Sequence, residues 1–341
     1  MRKMIKIGVL LIGIASQPFT ACERRPLENE FAETALIPVK IDWSESNIPV
    51  TDPDGNGYVH RVSVRFFPKN GAPAFDRYLE SNVIEGKIDV PVGEYSVVVF
   101  NESVHDIYWE DAVYFTDVDD YANFAACKKS DDPLNYEFYT PQPGEELIVE
   151  PLRLASWSLD DFVVTNEMIT RTRSISRAPL PADAMENALT HVVMRPLTYT
   201  VKVTAWAENL CSAQLIQGAM RGFAKKVYMG SGRTEQAPAT HVFKLNSRRW
   251  DDGDQKHGTV TKSFLSFGKV PQTAQYSLNM DVVYVTGEVS DQPHLFDVTD
   301  QVNSPSPTSD ADISVAVDLH LPLKEGGINV GDWEDEVITI K

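Results

Sequence analysis

The sequence predicts an all-β protein: two tandem β-sandwich domains behind an export leader. Three observations carry this reading. Apolar and polar residues alternate with period two over most of the chain after residue 33, the pattern of half-buried strands. Clusters of Gly, Pro, Asn, Asp and Ser separate these runs at short intervals, as in sandwiches rather than parallel α/β sheets. The 341-residue chain is long enough for two domains, each with its own core.

The leader comes first. Arg2, Lys3 and Lys6 precede an apolar run from Ile7 to Ile14, and Phe19-Thr20-Ala21-Cys22 follows. A cationic, then apolar, then small-residue series ending on Cys reads as a lipoprotein signal over residues 1–21, with Cys22 the acylated first residue of the mature chain. The apolar run is shorter than the ~20 residues a membrane-spanning helix needs. Each buried acyl CH₂ contributes ~0.8 kcal/mol, so several chains on one Cys hold a protein to a membrane. Residues 22–32 form a tether.

The first sandwich is expected over residues 33–157. In Ile37-Pro38-Val39-Lys40-Ile41-Asp42-Trp43 the odd positions are apolar, and Pro38, which cannot donate to a ladder, places this strand at an edge or at its start. Val62 to Phe66 alternates again. Lys87 to Val90 runs through Pro91-Val92-Gly93-Glu94 into a buried strand to Phe100, where the Tyr95 hydroxyl can tie the corner. Further strands are expected at Val113 to Phe115, Tyr136 to Tyr139 and Leu147 to Leu152, with local helix at Asp119 to Cys127. Residues 158–190 read as an inter-domain connection, although Phe162-Val163-Val164 is strand-like. Arg171, Arg173 and Arg177 make part of it an exposed, protease-sensitive stretch.

The second sandwich is expected over residues 191–341. Thr198 to Trp206 is the longest clean alternation, and Trp206 reads as core. Strands follow at Phe223 to Met229, His241 to Leu245, Thr259 to Phe267, Tyr276 to Val285 and Leu295 to Val298. Ile313 to Leu321 alternates strictly. Val337 to Ile340 either closes its own sandwich or donates to a neighbour.

Composition bounds the partners. The formal charge is −18, and −21 without the three cations of the leader. Such a surface repels the phosphates of nucleic acid. Cys127 and Cys211 are the thiols beyond Cys22. Export permits a disulfide, but they lie in separate expected domains and read as free and buried.

No cofactor or metal site is expected. Asp52 to Gly57 resembles the start of a calcium loop, but its twelfth position is Ser63 where a bidentate Glu is needed. The clusters Asp117, Asp119, Asp120 and Asp251, Asp252, Asp254 read as solvated loop charge. None of the seven histidines has H-x-H or H-E-x-x-H spacing, and no nucleophile elbow, P-loop or dinucleotide fingerprint occurs. The chain therefore reads as a non-enzyme. Among the tryptophans, Trp250 beside Arg248 and Arg249 is the best exposed platform for stacking on a sugar ring.

The lipobox Cys followed by Glu-Arg-Arg-Pro-Leu, Ile37 to Ser44, Phe66-Phe67-Pro68, and Pro91 to Tyr95 with Val99-Phe100-Asn101 carry a resemblance. So do Asn209-Leu210, Gly218 to Lys226, Phe296 to Thr299 and Asp332 to Val337. Together they are similar to fimbrillin-like lipoproteins of Bacteroidales. The resemblance implies two transthyretin-like sandwiches in a pilus shaft subunit, anchor, tip protein or stand-alone surface lipoprotein.

In polymerising members of that group a protease cuts after Arg or Lys near the start of the first domain. A neighbour's strand then fills the groove left by the first strand. Here that strand would be Ile37 to Trp43, and Arg61 is the nearest cut site. The function so implied is that of a pilus-type structural, anchor or adhesion lipoprotein. Its partners would be the membrane, through the acyl anchor, other pilus subunits by strand exchange, and a host protein or glycan. The alternative is a surface glycan-binding lipoprotein. The expected location is the outer membrane, on the cell surface; the mixed Glu23-Arg24-Arg25 after Cys22 leaves a periplasm-facing location open.

Overall fold

The computed structural model describes residues 33–50, 59, 61–80, 82–102, 104, 112–136, 138–169, 187–251, 254–271, 275–307 and 311–324. Cys22, the leader, the tether, Asp52 to Gly57, Asp252, the arginines at 171, 173 and 177, and Val337 to Ile340 lie outside them.

In the first half the strands are β1 (Thr34–Asp42), β2 (Val62–Pro68), β3 (Phe75–Leu79), β4 (Glu85–Pro91), β5 (Gly93–Asn101), β6 (Val113–Thr116), β7 (Ala125–Lys128) and β8 (Ala155–Val164). Two very short strands follow, β9 (Val192–Val193) and β10 (Arg195–Pro196). A sheet ordered β4-β1-β9 faces one ordered β10-β8-β5-β2-β3. Between them lie Ile37, Val39 and Ile41 of β1, Val62, Val64 and Phe66 of β2, and Val97 and Val99 of β5, all buried. Phe66 stacks on Phe75 at 5.2 Å and meets the Tyr95 ring edge-on at 5.4 Å. The Tyr95 hydroxyl donates to Pro91 O at 2.9 Å, the corner tie expected from sequence.

The second half contains β11 (Tyr199–Glu208), β12 (Ala213–Ala224), β13 (Lys226–Tyr228), β14 (Pro238–Lys244), β15 (Ser247–Asp251), β16 (Asp254–Ser266), β17 (Ser277–Tyr284), β18 (His294–Asp297), helix α1 (Thr299–Asn303) and β19 (Ile313–His320). Sheet β15-β16-β11-β19 packs on sheet β14-β12-β17-β18. Val201, Val203, Ala205 and Ala207 of β11 point into this core beside Met220, Phe223 and Val315. The β19 edge away from β11 is closed by a side chain: the Gln301 amide accepts from Ala316 N at 2.7 Å and donates to Ala316 O at 3.0 Å.

A fifth sheet joins the halves. β13 of the second half pairs with β7, which pairs with β6. This unit sits on the outer face of the five-stranded sheet and encloses a shared core. Phe67, Phe100 and Phe124 meet Val227, Met229 and Phe267 there. Ser156 Oγ donates to Met229 O at 2.9 Å and Leu197 N to Leu154 O at 2.8 Å, so backbone from both halves is bonded across it. Arg65 pins the hairpin from below. Its side chain is 5% exposed, pairs with Asp76 at 2.7 Å, donates to Val118 O at 2.9 Å and lies between the Phe67 and Phe124 rings.

Several sequence expectations need correction. The boundary expected at residue 157 falls inside β8, which continues to Val164 and pairs with β5 along that length. Residues 192–196, assigned to the second sandwich, pair with β1 and β8 of the first. Of the strand expected at Tyr136 to Tyr139, the described residues 136, 138 and 139 are not in a strand; a 3-10 turn, Pro133–Asn135, precedes them, and Asp131 accepts from Asn135 Nδ2 and from the Tyr136 hydroxyl. Leu147 to Leu152 contributes isolated bridges at Leu147 and Ile148. The helix expected at Asp119 to Cys127 is a set of turns followed by β7. Trp206 is not core. It shares the outward parity of Lys202 and Thr204, stacks on His257 with ring centroids 6.0 Å apart, and donates from its indole N–H to Asp251 at 3.2 Å.

Candidate functional site

The sequence points to the first strand as the place where a partner subunit would act. β1 carries apolar residues at its odd positions, three of them β-branched, and Ala35, Ile37, Val39 and Ile41 are at most 3% exposed. Its register with β4 is unbroken from Thr34↔Pro91 to Lys40↔Glu85. Ile41 N donates to Ile84 O at 2.7 Å, so the odd-numbered amides face β4. The missing amide of Pro38 therefore falls on the opposite edge, where it costs no ladder bond.

That edge is also covered. Asn187 Nδ2 donates to Pro38 O at 3.2 Å and Met194 N to Asp42 O at 2.9 Å, while Ile41 and Asp42 run parallel to Val192 and Val193. Asn187 in turn caps the 3-10 turn Ala188–His191 that packs beside β1. The strand exit is fixed by Trp43, whose indole donates to Val83 O at 3.0 Å, and by Ser46, whose hydroxyl donates to Trp43 O at 2.8 Å. The Ser44 amide holds the Asp42 carboxyl below the usual carboxylate range. An open groove runs along this sheet, with Lys40, Asp42, Glu85, Lys87 and His191 on its walls.

Arg61 directly precedes β2, a strand flanked on both sides by β3 and β5. Its carbonyl accepts from Glu102 N at 2.8 Å, its guanidinium pairs with Glu80 at 2.9 Å, and it lies 5.1 Å from the Tyr78 ring centroid. A protease subsite needs several residues of free extended chain. Cutting here requires the start of β2 to be unzipped from both neighbours.

Trp250 sits on the edge strand β15, 38% exposed, with the Arg248 guanidinium 5.9 Å from its ring. β15 belongs to the sheet β15-β16-β11-β19, whereas β1 belongs to β4-β1-β9. Cys127 is buried, with its thiol pushed up chiefly by desolvation, and Cys211 is half-buried; both are free thiols. The Asp117 to Asp120 cluster builds turns: Asp119 accepts from Ala74 N and Asp120 from Ala122 N, each at 3.0 Å. Among the described residues no group of three or more His, Cys, Asp or Glu is placed to hold a metal ion, and no helix is long and apolar enough to cross a membrane. Sequence reasoning missed Asn187 and Met194, the partners of the outer β1 edge; Asn187 shows only as an Asn ahead of a short turn.

Residues 21–244 match the model of a domain of unknown function, DUF5119. The chain belongs to the DUF5119 family. A protein of Bacteroides ovatus assigned as a fimbrium anchoring subunit is 34% identical to this DUF5119 chain over 105 residues, 30% of this chain; the match spans 28% of that relative's length. In fold, the crystal structure of a protein assigned as an adhesin from Bacteroides ovatus aligns with a TM-score of 0.56 at 18% identity, over 90% of this chain and 99% of that one. The fimbrial anchor protein Mfa2 from Porphyromonas gingivalis aligns with a TM-score of 0.46 at 13% identity, over 84% of this chain and 90% of that one. The resemblance to Bacteroidales fimbrillin-like proteins thus meets a fimbrial relative in sequence, and the all-β sandwich fold meets an adhesin in structure.

Proposed function

We propose that this chain is a non-enzymatic fimbrial component of the cell envelope, of the anchor type, that keeps its first strand. Acylated Cys22 holds it to the outer membrane, facing the cell surface, and other pilus subunits are its partners. Both halves read as transthyretin-like sandwiches. The observation that supports the anchor reading is the integration of β1, buried on its inner face, paired with β4 and covered on its other edge. Arg61, the candidate cut site, is held at the root of a central strand. A chain that is not cut keeps its acylated terminus and stays on the membrane, as a base component requires.

The experiment is the N-terminal identity and intact mass of the protein from native membranes. Acylated Cys22 on a complete chain is the expected result. A terminus beyond Trp43 overturns the reading in favour of a matured shaft subunit that accepts a neighbour's strand. A second reading, glycan binding at the cell surface, rests on the exposed Trp250 ring. A glycan array with the native chain and Trp250→Ala decides it: a signal lost in the variant supports glycan binding, and an empty array removes it.

A further inference from the structure

At the end of the β6–β7 hairpin, Lys128 leaves the fifth sheet and enters the second sandwich. It is 0% exposed. Its Nζ lies 2.8 Å from His241 Nε2 on β14 and 3.0 Å from Ser266 Oγ on β16, and 5.1 Å from the centroid of the Phe267 ring. His241 is 3% exposed and held against Phe264 and Phe223, ring centroids 4.9 Å and 6.2 Å away. Two bases from opposite halves of the chain thus share one hydrogen bond at a site without water access.

The charged groups around the pair are few. Glu150, in the segment before β8, acts on Lys128 through space; its own carboxylate accepts from Leu265 N at 2.8 Å and also feels Lys262 and Arg153. On the β13 side, Lys225 O accepts from Lys128 N at 2.9 Å, and the Lys225 ammonium is paired with Glu146. β12 presents Phe223, β16 presents Phe264, and Phe267 follows the end of β16.

We propose that Lys128, His241 and Ser266 form an acid-released latch that fastens the β6–β7 hairpin to the second sandwich. The closed contact needs one of its two nitrogens, His241 Nε2 or Lys128 Nζ, to be an acceptor, so the pair carries at most one positive charge while closed. A second proton on the pair sets a donor against a donor and places two cations 2.8 Å apart in a medium that screens them poorly. Burial first, and the Lys128 charge second, hold the His241 pKa well below its ordinary 6.5; burial likewise lowers Lys128. The sign follows. Below about pH 6.5 the open hairpin carries both protons and the closed one at most one, so closure weakens as pH falls through that range. One proton taken up on opening shifts the equilibrium about tenfold per pH unit.

The test is amide hydrogen exchange of the full mature chain at pH 7.5, 6.5 and 5.5, corrected for intrinsic rates. Protection at Ala125 to Lys128 and Lys226 to Tyr228 is expected to fall about tenfold per unit below pH 6.5, ahead of the central amides of β11 and β16. In the Lys128→Met, His241→Phe double variant that dependence is expected to vanish. A flat native profile, or an equal slope in the variant, overturns the latch. Should the variant not fold, the native chain decides alone: hairpin and β11 amides losing protection in step also overturn it.

Discussion

A chain beginning at Ser44 would lack β1, and the loss can be sized from the residues involved. Ile37, Val39 and Ile41 are 2–3% exposed. Burying one such side chain contributes ~1.5–3 kcal/mol, so the three contribute about 5–9 kcal/mol, an upper range because unfolded chains already bury some apolar surface. Trp43, 8% exposed and bonded to Val83 O, adds to this. Net stability of a protein of this kind is ~5–15 kcal/mol, and 1 kcal/mol moves the midpoint by ~2–4 °C at 150–250 residues. Thermal unfolding followed by tryptophan fluorescence is therefore expected to fall by roughly 10–30 °C in the truncated chain. A synthetic peptide of residues 33–43 added in trans should restore it in a concentration-dependent way, whereas the same peptide carrying Val39→Asp should not. A truncated chain melting within about 3 °C of the intact one, a shift worth only ~1 kcal/mol, would refute the reasoning, because the strand would then contribute almost nothing to the sandwich.

Two further outcomes follow from buried polar groups. Arg65→Ala strands Asp76, whose Oδ1 already lacks a partner, and is expected to lower urea stability by ~3–5 kcal/mol, with recovery when Asp76→Leu is added. Gln217, 1% exposed with neither amide atom bonded, is expected to gain ~1–2 kcal/mol as Gln217→Met in the same assay; a loss would show that the amide is satisfied in solution.

Much of this architecture is legible in single strands. The alternations read at Ile37 to Trp43, Thr198 to Trp206 and Ile313 to Leu321 fall on β1, β11 and β19, with Ile37, Val39, Val201, Val203, Ile313 and Val315 inward. Trp206 is instructive because the parity of its own strand, with Val201, Val203 and Ala205 inward, already points it outward; aromatic hydrophobicity alone suggests the core. β8 is harder to read. A register shift against Tyr95 and Val97 interrupts its alternation, and Asp160 and Asp161 give its middle the look of a loop. Of the candidate site, the inner face of β1 and the Pro38 edge are visible in sequence. The cover on that edge comes from Asn187, 149 residues away, and the Lys128–His241 contact spans 113 residues. No local pattern encodes either pairing; they follow from topology.

The fifth sheet has a practical consequence for dividing the molecule. Because β7 and β13 come from different halves yet form one ladder over a common apolar floor, a cut near residue 190 yields two pieces with raw surfaces, not two modules. One would carry Phe67, Phe100 and Phe124 into solvent, the other Val227, Met229 and Phe267. Such halves are expected to aggregate when made alone and to be rescued when made together. Chimaeras that exchange sandwiches between relatives must therefore carry the β6–β7 hairpin with the second sandwich it fits.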